Sequence, residues 1–375
     1  MYTRSEMAES GPTREHKLFV WDISHFSGKA RGYMRYKRIP HYEASMNFMD
    51  YLVRAKIRGG DRTIPVVVTP DGEWIQDTKV IVDTLEQRYP ERPVKPETPV
   101  QRFAAYLLEL WGDEVLVQMS VHTRWSYVEN YPRFRDEVGP KMFPRAPRAL
   151  QNLVASEFRR FMTQRARGFL GIQGDQIPVL DAWMERMLDA LQEHFAAHDY
   201  LLGGRPCIAD FALLGTMYGH LSQDPWPRRN LIEPRPALLA WIDRMSSPPE
   251  SVGELYPDDE LPPTLEPVIR DIVEGLLPLL VKTVEHHVER YGGQRTRMPR
   301  GTSKRFSMRR EGTDYRISGQ AIHLWMVQRV LDDLMSRPAP DQAKVREWLR
   351  GLGAEDFLDL SIPRTERAGL SARFV

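Results

Sequence analysis

Ser24 stands in the break Ser24-His25-Phe26-Ser27-Gly28, between an apolar run over 17–23 and a stretch that reads as a helix over about 29–37. A hydroxyl where a strand ends and a helix is about to begin can donate to an anionic ligand atom, and the partial positive charge of the helix N-terminus adds to it. The competing account is a plain turn serine, with Ser27 as the N-cap. A second such place is Gln76-Asp77-Thr78, ahead of a helix running to about Arg88. Asp77 or Thr78 caps that helix, and its free N–H groups suit a carboxylate. Pro65 interrupts the β-branched run 64–69, where a proline belongs at a sheet edge or in a cis bond.

The remaining chemistry is bounded by what is scarce. Cys207 is the single cysteine, so neither an internal disulfide nor a cysteine zinc cluster can form. It reads as a small buried residue, not a nucleophile. His286-His287 lacks the i, i+4 spacing of a zinc pair, and no metal site is expected.

These residues need elements to hold them. Residues 17–23 read as a buried strand, 41–45 as a second strand and 46–57 as a helix ended at Gly59-Gly60. Residues 64–69 and 73–75 flank a Pro70-Asp71-Gly72 hairpin turn, and Val80, Ile81, Thr84 and Leu85 give the following helix its inward face. The order is βαβ then ββα. Beyond a proline-rich linker over 89–99 the pattern turns helical: 100–130, 147–167, 177–195, 208–221 and 236–245. The segment 208–221 is apolar nearly throughout, as a buried central helix would be. A Pro/acidic stretch over 248–263 marks another boundary. After it come a helix over 265–291, a basic loop, a hairpin over 306–318 around Glu311-Gly312-Thr313, and a helix to Met335.

Three segments carry a resemblance. Leu18-Phe19-Val20-Trp21 through Ser24-His25-Phe26-Ser27-Gly28 to Arg38-Ile39-Pro40 looks like the opening strand, active-site turn and first helix of the glutathione transferase family. Ile64-Pro65-Val66 with Asp71-Gly72-Glu73-Trp74-Ile75-Gln76-Asp77-Thr78 is similar to its proline loop, hairpin and acidic-plus-hydroxyl pair. Tyr200-Leu201-Leu202-Gly203-Gly204-Arg205-Pro206 with Ile208-Ala209-Asp210-Phe211 looks like the approach to the central helix of its second domain. The likeness covers about 17–246, and more distantly resembles a poorly characterised bacterial branch.

The resemblance implies a thioredoxin-like α/β domain (17–90) after a leader (1–16), an all-helical domain (99–247) and, outside the usual family length, an additional mainly helical unit (262–375). It implies glutathione as co-substrate. Ser24 would stabilise the thiolate, whose unperturbed pKa of about 8.5 has to be favoured near neutral pH. Ile64, Pro65 and Val66 would meet the cysteinyl backbone, and Gln76, Asp77 and Thr78 the γ-glutamyl end. The family often has Glu-Ser here, so which of 76–78 does which task stays open. No cysteine stands at the turn, which argues against mixed-disulfide chemistry. A second substrate would sit between the domains against Phe26 and one helix face carrying Trp111, Glu114, Gln118, His122 and Trp125. That face serves interdomain packing equally well. His122 is the candidate acid/base on it. Cys207 replaces the usual Ser or Thr cap, with Asp210 able to reach back.

Two function classes follow. The leading one is an enzyme, a glutathione-dependent transferase attacking a small electrophile, aromatic ones included. The other is a non-catalytic binding or interaction protein on the same fold. A glutathione-dependent isomerase or ether-cleaving lyase would share the glutathione half of the site. Net charge is +1, with 42% hydrophobic and 27% charged residues, so no global field draws the chain to nucleic acid or membrane. Its longest apolar run, 275–281, is far below the ~20 residues of a membrane span. A cytoplasmic location is expected, and the resemblance implies a homodimer, unless 250–375 covers the usual interface. The stretch 295–310 holds Arg295, Arg297, Arg300, Lys304, Arg305, Arg309 and Arg310 with no acidic residue, and reads as a solvated loop and hairpin.

Overall fold

The apolar run after residue 15 becomes β1 (His16–Phe19), one of the two inner strands of a four-stranded sheet. The computed structural model describes residues 15–375 apart from 52–54, 56, 58, 59, 61 and 62. The helix read over 46–57 and its Gly59 stop therefore lie partly outside the described residues. β1 pairs in parallel with β2 (His41–Ala44) and antiparallel with β3 (Val66–Val68), which pairs antiparallel with β4 (Trp74–Gln76). Leu18 opposite Val67 and Phe19 opposite Val66 fix the register. This is the βαβ–ββα order read from the sequence.

Helix α1 spans His25–Tyr36, beginning earlier than the sequence suggested. Its cap is Ser24, whose Oγ accepts from Ser27 N; Ser27 instead buries its own Oγ against Trp21 N at 3.2 Å. The expectation that Ser27 caps the helix is thus corrected, because the extended backbone of Ser24 turns its side chain back over the first helical N–H groups. α2 (Thr78–Arg88) is capped by Asp77, held at φ +81.

The helical part contains α3 (Pro99–Leu110), α4 (Val117–Ser126), α5 (Tyr131–Met142), α6 (Arg148–Phe161), α7 (Ile177–Ala197), α8 (Ile208–Thr216) and α9 (Pro236–Ser246). The single helix read over 100–130 is interrupted by a wide π turn at Trp111–Val115 and ends at Ser126. Every residue of α8 is buried, as its apolar sequence required. Cys207 and Asp210 close a reciprocal capping box, in which Asp210 accepts from Cys207 N at 2.9 Å, and Asp210 also accepts from Leu201 N at 3.0 Å.

Beyond residue 263 come α10 (Glu266–Asp271), α11 (Leu277–Tyr291), the hairpin β5 (Gly301–Arg310) and β6 (Thr313–Gln320), α12 (Ile322–Met335), α13 (Ala339–Gly351), and a small hairpin of β7 (Thr365–Arg367) and β8 (Ala372–Phe374) that no sequence pattern announced. The stretch expected as a basic loop is strand from Gly301 onward, paired to β6 through Glu311-Gly312 at positive φ. One continuous cluster of buried apolar side chains runs from Leu18 to Phe374. The last unit shares that core, since its α12 and α13 pack on α3.

Candidate functional site

A cavity of about 450 Å³ lies where the three parts meet. The α/β part supplies Phe26, Thr63, Ile64, Pro65, Asp77, Thr78 and Lys79; the helical part Asp113, Glu114, Val117, Val121 and apolar side chains between Phe161 and Leu170; the C-terminal part Arg300, Gln320, Ile322, Met326 and Leu370. Its size is in the range of small-molecule sites, about 300–1,000 Å³.

Ser24 is half-buried and is not among the lining residues, although its neighbour Phe26 is. The turn that carries it is fastened from both sides. Asp22 N and Ile23 N donate to Glu137 Oε1 on α5 at 2.6 and 3.2 Å. The carbonyl of Ile23 accepts from the buried Arg124 at 2.5 Å, and the same guanidinium reaches Gly219 O at 3.0 Å and both oxygens of Asp224. Gly219 has to be glycine here, because a Cβ would meet Ser24 O at 2.9 Å. His25, whose ring lies against Phe26, is fully enclosed, and burial lowers its pKa to about 4. Neither Arg124 nor Glu137 was foreseen; both act across about a hundred residues, and no local pattern marks them.

The Ile64–Pro65 bond is cis, which resolves the two alternatives left by the sequence. Gln76 Nε2 donates to Thr63 O at 2.9 Å and so ties the proline loop to β4; Gln76 itself does not line the cavity. Val66 is a ladder residue, opposite Gln76 on one side and Phe19 on the other, with its side chain buried. Asp77 Oδ1 accepts from Lys79 N at 2.9 Å, leaving the start of α2 and the buried Thr78 on the cavity wall. Arg367 of β7 joins this corner, donating to Gln76 O at 3.2 Å with Asp77 Oδ2 at 3.8 Å.

Of the helix face expected to meet a second substrate, only Glu114 lines the cavity. Trp111 Nε1 donates to Asp271 at 2.8 Å, Gln118 accepts from the buried Arg310 at 2.8 Å, His122 pairs with Asp181 at 2.7 Å, and Trp125 packs edge-on against Phe134. The correction has a geometric cause. The expected face assumed an uninterrupted helix, but a π turn carries an extra residue, and each residue turns the following face by about 100°. Asp113, Glu114, Val117 and Val121 are the residues presented instead.

Beneath the cavity runs a buried chain of charges. Lys29 Nζ donates to Glu109 at 2.8 Å and to Asp113 Oδ2 at 2.7 Å, and Lys79 Nζ donates to the same Asp113 oxygen at 2.5 Å. Arg329 of α12 binds the other oxygen of Glu109 at 2.7 Å and grips Asp83 with two donors. His323 Nε2 lies 3.2 Å from Glu114 Oε2. At Lys79, Glu109 and Glu114 burial works against the charge and is overcome by partners. For Lys79, the Asp113 carboxylate, then Glu109 and Glu114, raise the pKa above the usual lysine range. For Glu109, Arg329 followed by the two lysines pulls the pKa far down. For Glu114, His323 and then Lys79 hold it at about 2. Asp113 keeps Oδ1 buried with no partner among the described residues. Among the described residues no three His, Cys, Asp or Glu side chains are placed to hold a metal ion, and no helix is long and apolar enough to cross a membrane.

Residues 18–93 match the family model for the glutathione S-transferase N-terminal domain, and residues 175–244 that for the C-terminal domain. The chain, with both domains in order, belongs to the glutathione transferase family. Among solved structures, a glutathione S-transferase from Rhodospirillum rubrum F11 is similar at 17% identity, over 65% of this chain and 96% of its own, with a TM-score of 0.40. One from Methylobacterium radiotolerans, in complex with glutathione sulfonate, is similar at 18% over 65% and 98%, with a TM-score of 0.39. Beta-etherase LigF from Sphingobium sp. strain SYK-6 is similar at 18% over 62% and 96%, with a TM-score of 0.42.

Proposed function

We propose that the protein is a glutathione-dependent transferase, in which the cavity holds glutathione along Ile64 and Pro65 with its γ-glutamyl end at Asp77 and Thr78, while Val66 and Gln76 hold the proline loop and the start of α2 in place from the sheet behind. The observation that carries this reading is the convergence of the proline loop, the start of α2 and Phe26 on one cavity in a glutathione transferase fold. The N–H groups of α2 and the Thr78 hydroxyl suit the γ-glutamyl carboxylate, and the unpaired Asp113 Oδ1 suits its ammonium. Ser24 accepts at Oγ from Ser27 N, so its own proton is free to donate to sulfur. The thiol loses its proton to solvent, the thiolate sulfur bonds to an electrophilic carbon, and the leaving group departs with its electron pair. Isomerisation or ether cleavage would use the same glutathione half. With the reading go three units at 17–90, 99–247 and 262–375, a cytoplasmic location and a homodimer.

A second reading, a binding protein without catalysis, is favoured by the absence of Ser24 from the cavity lining. Calorimetric titration with glutathione tests the site itself. The wild-type chain is expected to bind in the micromolar-to-millimolar range, and Thr78→Val to bind about tenfold more weakly, one charge-assisted hydrogen bond. No heat of binding at millimolar glutathione rejects both glutathione readings.

A further inference from the structure

His122 lies outside the cavity lining, yet both of its ring nitrogens are engaged. Nε2 is 2.7 Å from Asp181 Oδ1 on α7, and Nδ1 is 3.1 Å from Ser126 Oγ, one turn further along α4. A carboxylate can only accept, so Nε2 carries the ring hydrogen and Nδ1 is the nitrogen with the lone pair. The serine hydroxyl then donates to Nδ1. Ser126 is exposed at the last residue of α4, while His122 is 2% exposed. The i, i+4 spacing puts serine and histidine on one helix face, and the carboxylate reaches them from 59 residues away.

The charged and titratable groups that face the ring are Asp181 from α7, Arg167 from the segment that follows α6, and Tyr127, whose ring is 6.5 Å away. Burial lowers the His122 pKa below its ordinary 6.5; Asp181 opposes the shift and Arg167 adds to it. Near neutral pH the ring is therefore uncharged, the state in which Nδ1 can take a proton. Arg167 Nε is buried with no partner among the described residues, a donor left over for developing negative charge. Beside Ser126, the half-buried Tyr127 stacks on Trp226 at 3.5 Å and offers a flat apolar flank.

We propose that Ser126, His122 and Asp181 form a second active site, outside the cavity, that hydrolyses small carboxylic esters. An exposed hydroxyl bonded to an uncharged imidazole, itself oriented by a carboxylate, is the arrangement that makes serine a nucleophile, and it is recognised by roles on unrelated folds. Here Nδ1 faces the serine and Nε2 the carboxylate, the reverse of the serine-protease edges, with the same inventory of protons. Ser126 Oγ bonds to the ester carbonyl carbon and its proton passes to His122 Nδ1. The carbon–oxygen bond to the alcohol breaks, and the alcohol leaves with that proton. Water, giving a proton to the same nitrogen, then attacks the acyl-serine; the carboxylic acid is released and Oγ recovers its hydrogen. None of the three residues lines the cavity, so the site stands whether or not glutathione binds there.

The test uses the full chain with a fluorophosphonate probe and with 4-nitrophenyl acetate. The probe is expected to add at Ser126, Oγ bonding to phosphorus as fluoride leaves, with the adduct located by peptide mass spectrometry. Ser126→Ala changes an exposed side chain and is expected to lose the adduct together with most of the nitrophenolate release. His122→Gln is expected to slow labelling about a hundredfold, the share of a general base. Asp181 acts through the ring and is a positioning residue. Asp181→Asn is expected to slow labelling at least about tenfold and to move the midpoint of its pH profile below that of the wild type, because the carboxylate raises the His122 pKa. An adduct at another residue, hydrolysis in Ser126→Ala at the wild-type rate, His122→Gln labelled as fast as the wild type, or an Asp181→Asn profile that superimposes on the wild type's would each overturn the inference.

Discussion

At its floor the cavity is framed by buried charge; at its mouth it is framed by rings and aliphatic chains, with cations only at the rim. The floor is held by directional bonds. Lys29, Lys79 and Arg329 each satisfy carboxylates at 2.5–2.8 Å, and removing one member strands its partners in a desolvated setting. The mouth is held mainly by contact, and Phe161, one of its walls, is 52% exposed. The floor therefore fixes geometry, while the mouth can change shape at small cost. The C-terminal unit enters both, through Arg329 and His323 below and Arg300, Ile322 and Met326 above, so it is part of the site and not an appendage.

The sharpest way to break this contrast is to remove one group from each end. Lys29→Met leaves Glu109 and Asp113 short of a buried cation and is expected to cost about 3–5 kcal/mol in urea unfolding, against under about 1 kcal/mol for Phe161→Ala. Equal losses would contradict the contrast.

Acid should also act on the enclosed side first. Burial holds the folded pKa of His25 at about 4, below its ordinary 6.5. Between these values the unfolded chain binds the proton and the folded chain does not. The His25 contribution is therefore fully present above pH 6.5 and is lost as pH falls toward 4, by up to about 3 kcal/mol. His25→Gln is expected to flatten that part of the stability profile; an unchanged slope would place the acid sensitivity elsewhere.

The smallest effect is expected at His122, which is paired with Asp181 and absent from the cavity lining. His122→Gln should leave glutathione affinity within about twofold of wild type, because the change is made away from the ligand. A larger loss, by the same titration, would restore that face of the helix to the site.

Much of this was legible in the sequence where the signal is local. The Ser24 break, the proline in a β-branched run and the cap at 76–78 are each marked by a few neighbouring residues, and the elements they announce are present. Phe26 and Glu114 were legible as cavity residues, but the rest of the cavity-facing side of the Glu114 helix was not, because the π turn at Trp111–Val115 leaves no mark in an otherwise continuous amphipathic pattern. The charge network was not read from the sequence. Glu109 and Asp113, an i, i+4 acidic pair flanking the apolar end of α3, call for buried cations, but Lys29, Lys79 and Arg329 come from three distant elements that only the fold brings together. The β7–β8 hairpin left no trace because three-residue strands carry too little periodicity to read.

On the proposed function, Ser24 ionises the thiol of glutathione bound in this cavity. The direct measurement is the ultraviolet thiolate absorbance of bound glutathione, followed against pH for the wild type and for Ser24→Ala. In the wild type the thiolate is expected to form well below the ordinary thiol range of about 8.5, and in the variant to return toward that range with binding retained. A wild-type thiol that titrates where free glutathione does, or a variant that matches the wild type, would contradict it.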